Sequence, residues 1–117
     1  MPKINSKQKG ARGEREWAKF LNDFGIEARR GVQYQGSYDS PDVKTELDDK
    51  IHFEVKRMET FNAYRAMNQA VKDATGSKAI PVVAHRANTK EWLIVLRAED
   101  FVKKIIKDKL FSWQMLF

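Results

Sequence analysis

The strongest constraint on this chain is the alternation from Ile51 to Arg57. Ile51, Phe53 and Val55 point to one side of an extended strand while His52, Glu54 and Lys56 point to the other. A period of two cannot form one face of a helix, so the chain must build a sheet with one apolar face in a core and one polar face. That polar face carries an acid, a lysine and a histidine together. Upstream, Val43 to Glu46 is a second short extended run, and the polar Asp48, Asp49 and Lys50 between the two suit a hairpin. In the register that keeps apolar residues together, Val43 faces Phe53, Thr45 faces Ile51 and Asp42 faces Glu54. A slip by one residue would bury carboxylates against Phe53, at a cost of several kcal/mol.

The remaining elements follow from periodicity and punctuation. Trp17, Phe20, Leu21 and Phe24 recur at helical spacing and Gly25 follows as a cap, so a first helix is expected over 14–24. Residues 1–12, with Lys3, Lys7, Lys9 and Arg12 and no acid, read as a basic arm. Ile26 to Tyr34 suits an extended stretch, and Gly36, Ser37, Asp39, Ser40 and Pro41 supply loop chemistry before Asp42. Thr60 is the expected cap of a second helix, whose Ala63, Met67, Ala70, Val71 and Ala74 make a small apolar stripe stopped by Gly76. Ile80 to His85 and Trp92 to Leu96 are apolar runs of strand length, and a last helix carries Phe101, Val102, Ile105, Ile106 and Leu110. This order predicts an α/β domain over 13–109, a mixed β-sheet flanked by helices, followed by an apolar tail at 110–117.

Composition narrows the function. At 117 residues the chain fits one domain with a core of its own. A formal charge of +6 favours a polyanionic partner, with DNA or RNA first, and Arg12, Arg29, Arg30, Arg57 and Arg65 join Lys3, Lys7 and Lys9 as candidate phosphate contacts. The absence of cysteine excludes disulfide frameworks, thiolate zinc sites and thiol nucleophiles. No apolar run is long enough to cross a bilayer and the N-terminus has no apolar signal core, which points to the cytoplasm.

The polar strand face carries the chemistry. Asp42 beside Glu54 sets two carboxylates together, and a hard divalent cation such as Mg²⁺ relieves their repulsion. Lys56 then stands next to the ion, placed either to orient or deprotonate a water or to offset charge on a scissile phosphate. His52 shares the face of Glu54 and is placed to support the site or touch DNA. Neither His52 nor His85 has a partner at zinc-binding spacing. An acid-x-lysine triplet alone arises by chance in a chain this charged, and the competing reading is a surface cluster on a non-catalytic basic nucleic-acid-binding module. Tyr34 and Tyr38 precede Asp42, where they either pack under the loop or stack on an unpaired base.

Taken in order, the motifs resemble the PD-(D/E)XK nuclease superfamily, with "PD" at Pro41 and Asp42 and "EVK" at Glu54 to Lys56. "KGARGERE" at Lys9 to Glu16 is similar to the N-terminal motif of archaeal-type Holliday-junction resolvases, and "ARRGVQYQG", "IHFEVKR", "AMNQAVKDA" and "IPVVAHR" look like small phage nucleases. The resemblance runs from about Lys9 to Leu96. It implies a restriction-endonuclease-like fold and an active site of Glu14, Asp42, Glu54 and Lys56, with the three carboxylates as ligands of Mg²⁺ or Mn²⁺. Gln69 on the second helix is an auxiliary residue by the same likeness. The implied substrate is branched DNA, with flaps, nicks or duplex ends as alternatives within the superfamily. Paired cuts in a four-way junction imply a homodimer, and Leu110, Phe111, Trp113, Met115, Leu116 and Phe117 offer an apolar surface for one.

Overall fold

The computed structural model describes residues 6–31 and 42–108. Helix α1 (Ser6–Asp23) leads to β1 (Ala28–Arg30), β2 (Val43–Thr45) and β3 (Ile51–Arg57). Helix α2 (Ala63–Asp73), β4 (Ile80–Arg86) and β5 (Leu93–Val95) follow, then α3 (Ala98–Asp100), which runs on as a π-helical segment Phe101–Lys107. The strands make a three-stranded sheet in the order β3-β4-β5 and a separate β1-β2 ribbon. β3 and β4 are parallel, Glu54 lying across from Val83 and Lys56 from His85, whereas β4 and β5 are antiparallel. The mixed α/β fold expected from the sequence is therefore present.

Helix α1 lies on one face of the sheet. Trp17, Ala18 and Leu21 form its buried stripe and pack with Val43, Phe53, Val55, Val82 and Ala84. Its end is set by Gly25, at φ 84°, where the backbone must turn left-handed. The Gly25 amide donates to Asn22 O (2.9 Å) and the Ile26 amide to Leu21 O (3.0 Å), the paired bonds of a Schellman cap. Helix α2 covers the other face through Ala66, Met67 and Ala70, which pack with Val83. Among the described residues no helix is long and apolar enough to cross a membrane.

Three expectations need correction. The first helix begins at Ser6, so part of the stretch read as a basic arm is helical; Gly10 and Gly13 obscured that start. The cap of α2 is Asn62, not Thr60: Asn62 Oδ1 accepts from the Arg65 amide at 3.0 Å. β2 and β3 do not form a hairpin ladder, because β2 pairs with β1 in the register Arg30↔Val43. The reason lies in two aspartates. Asp42 Oδ2 accepts the Val55 amide at 2.9 Å, and Asp48 Oδ1 accepts the Thr45 amide at 2.9 Å, so side chains take donors that a ladder would have used. One backbone bond, Asp42 N–H to Phe53 O at 3.2 Å, still ties the two segments, and Val43 is buried with Phe53 as the apolar pattern required. The last helix is present, with Phe101, Val102 and Ile105 each at least 40% exposed. Pro41, Tyr34, Tyr38 and the tail lie outside the described residues.

Candidate active site

The site forms at the free edge of β3, where α1, the start of β2 and α2 converge. Alternation along β3 turns Glu54 toward α2, and the strand's neighbours bury it to 2% exposure. Lys56, two residues on, shares that side: its Nζ lies 3.2 Å from Glu54 Oε1 and donates to Gln69 Oε1 at 2.9 Å. Gln69 is thus a direct partner of Lys56 from the middle of α2. The Lys56 backbone is held as well. His85 Nδ1 lies 2.9 Å from the Lys56 carbonyl, which can only accept, so Nδ1 carries the proton. Phe61 stacks on the His85 ring at a centroid distance of 3.9 Å.

Asp42 enters from β2. Its backbone is tied to Phe53 and Gly31 and its carboxylate to the Val55 amide, which fixes it beside Glu54. Burial pushes the Asp42 carboxyl up, countered by the Val55 amide, Lys56 and a hydrogen bond with the Glu54 side chain. Glu54 is pushed up to about 8, chiefly by burial and next by the Asp42 charge, with Lys56 opposing. At about 8, Glu54 keeps its proton at neutral pH beside the Asp42 charge. Glu14, on α1, is raised by burial and by Asp42, while Arg30 on β1 pulls it down through a 3.2 Å ion pair. Helix α1 brings Glu14 close because Gly13 lets it approach β3: a Cβ there would lie 2.5 Å from Arg57 Cβ.

All four residues expected at the site therefore belong to one electrostatic neighbourhood, with Gln69 attached. Three carboxylates crowded together and raised by burial, with Glu54 Oε2 lacking a hydrogen-bond partner among the described residues, suit a hard cation with oxygen ligands. His52 is also drawn in, at 5% exposure, with burial lowering its pKa against the opposing charge of Asp73. Asp73, at the end of α2, escaped the sequence reading; His52, Glu54 and Asp73 offer ligand atoms all within 4.8 Å of one another. Of the candidate phosphate contacts, Arg12, Arg29 and Arg65 are exposed, and Arg30 serves Glu14. Arg57 is held by Glu16 at 2.8 Å and Asn88 at 2.9 Å, a tie between α1 and the sheet. Lys7 and Lys9 lie in the first part of α1.

Comparison with known proteins gives a consistent picture. A search of curated proteins finds no match. Among solved structures, the Holliday junction resolvase Hjc of Archaeoglobus fulgidus superposes with a TM-score of 0.55 at 23% identity, over 73% of this chain and 74% of that one. The fold is therefore the restriction-endonuclease-like fold of that enzyme. The family described as "Phage putative PDDEXK endonuclease" matches residues 5–116, nearly the whole length. The chain belongs to this phage PD-(D/E)XK endonuclease family.

Proposed function

We propose that the protein is a divalent-metal-dependent DNA endonuclease that cuts branched DNA, four-way junctions foremost, as a homodimer. The observation that carries the reading is the buried Asp42–Glu54 pair, with Lys56 3.2 Å from Glu54. Glu14, Asp42 and Glu54 would hold Mg²⁺ or Mn²⁺. Such an ion, when bound, polarises a phosphate oxygen and makes a nucleophile of water at neutral pH. Asp42 is oriented for that task by the Val55 amide, and Glu14 by Arg30. Lys56 lies between Glu54 and Gln69, placed to orient a water or to offset charge growing on the scissile phosphate. Exposed Arg12 and Arg29 supply contacts to the DNA backbone. The junction preference draws its support from the "KGARGERE" motif and from the fold shared with a resolvase.

Labelled four-way junction, flap and linear duplex, each incubated with Mg²⁺, Mn²⁺ or EDTA, test the reading. Cleavage should need the metal and favour the junction. Lys56→Ala and Glu54→Gln should each slow cleavage by about 100-fold or more while junction binding changes little, since both groups act mainly in the transition state. Cleavage at the wild-type rate in either variant rejects the site. Faster cutting of flap or duplex replaces the junction as substrate.

A further inference from the structure

On the α2 side of Glu54 the structure brings together three groups that the nuclease reading does not use as a set. His52 and Glu54 come from β3 and Asp73 from the last turn of α2, with one ligand atom of each within 4.8 Å of the others. His52 is 5% exposed and Glu54 2%, and His52 Nε2 and Glu54 Oε2 are both buried without a hydrogen-bond partner among the described residues. Buried polar atoms left unsatisfied are costly, about 1–3 kcal/mol each, and such costs are retained where something binds. Asp73 is only partly buried, which leaves the cluster a route to solvent.

We propose that His52, Glu54 and Asp73 form a second cation site, selective for a divalent transition-metal ion of the Zn²⁺ or Mn²⁺ type. One imidazole and two carboxylates are the donors such ions prefer, whereas Mg²⁺ takes oxygen ligands and keeps its water. Metal–ligand bonds of about 2.0–2.2 Å require donor atoms roughly 3–4.5 Å apart, so a closure of no more than about an ångström completes the site. The ion would clamp the end of α2 to β3 and share Glu54 with the catalytic centre. Its occupancy then sets how Glu54 is held against Lys56. The inference does not rest on the nuclease reading, because binding can be measured without DNA.

Titration calorimetry with Zn²⁺, and the visible absorption of added Co²⁺, test it on the full chain in the absence of DNA. The tightest Zn²⁺ event in wild type should be weakened at least tenfold by His52→Gln and by Asp73→Asn, with Asp42→Asn keeping the Co²⁺ spectrum. Equal Zn²⁺ affinity in wild type, His52→Gln and Asp73→Asn overturns the proposal. Should either variant fail to fold by circular dichroism, anomalous scattering from zinc-soaked wild-type crystals decides: a peak bonded to the His52 ring and the Asp73 carboxylate upholds the site, and none there rejects it. Loss of cleavage with this peak intact would count against the nuclease reading alone.

Discussion

At the scale of single residues, the proton that Glu54 keeps beside Asp42 has a thermodynamic consequence. Glu54 lies near 4.5 in the unfolded chain and is pushed up to about 8 in the fold, so the folded state binds the proton more tightly. The stability from this group is fully present below pH 4.5 and is lost as the pH rises through 8. In EDTA, urea unfolding of the wild type should therefore give a falling free energy between pH 5 and pH 9, by an amount on the order of a few kcal/mol. Glu54→Gln, which cannot ionise, should flatten that slope and exceed the wild type in stability at pH 9. Mg²⁺ or Mn²⁺ at millimolar level should restore the wild type at high pH, because an ion bound to the folded state stabilises it by mass action. Parallel pH profiles for wild type and Glu54→Gln would show that Glu54 does not carry the proton.

At the scale of elements, α1 and β3 depend on how closely they approach. Gly13 is buried against β3, and an added methyl would meet the Cβ of Arg57 at 2.5 Å, an atom too near the backbone to swing aside. Gly13→Ala should push α1 outward, carry Glu14 away from Asp42 and break the Arg57–Glu16 pair, costing about 1–3 kcal/mol and most of the cleavage rate. Gly10, in the same helix, has open space around it, so Gly10→Ala should stabilise by about 0.5–1 kcal/mol and leave cleavage unchanged. Comparing the two by thermal melts and junction cleavage separates helix propensity from close approach; equal effects would dismiss the crossing. The two glycines also show what a sequence conceals. Both lower helix propensity, so residues 6–12 read as part of an arm although they are helical. β3 was legible because its alternation is local, and the polar face it predicted does carry Glu54 and Lys56 side by side. That β2 would pair with β1 and not with β3 was not legible, since Asp42 and Asp48 divert backbone donors that a pattern of apolar residues cannot register. Asp73 was hidden for a related reason. Its meeting with His52 joins a helix end to a strand, and zinc-type spacing along the chain contains no trace of it.

At the scale of the whole molecule, geometry and surface lead to the proposed dimer. Resolving a four-way junction takes two cuts in symmetry-related strands, and one active site cannot stand at both; two-fold assembly supplies the second in fixed relation to the first. The described surface has apolar area to spare for it. Leu93 and Ile94 on β5, the outer strand of its sheet, are 53% and 47% exposed, and Phe101, Val102 and Ile105 are similarly open. Beside them, Trp17, Leu21, Ile80, Ile94 and Ile105 line an apolar groove of about 730 Å³ on the side of the sheet that α1 covers. Exposed aliphatic and aromatic residues gathered near an edge strand are what a partner surface uses, and Lys50, Lys78 and Lys104 at the groove supply a charged rim. Sedimentation at micromolar concentration should show a dimer. Leu93→Glu with Phe101→Glu places unpaired charge in the contact and should shift the mass to a monomer while nicking outlasts paired cutting. A wild-type monomer that still cuts both strands symmetrically would refute the dimer, and a dimer that persists in the double variant would move the contact to another face.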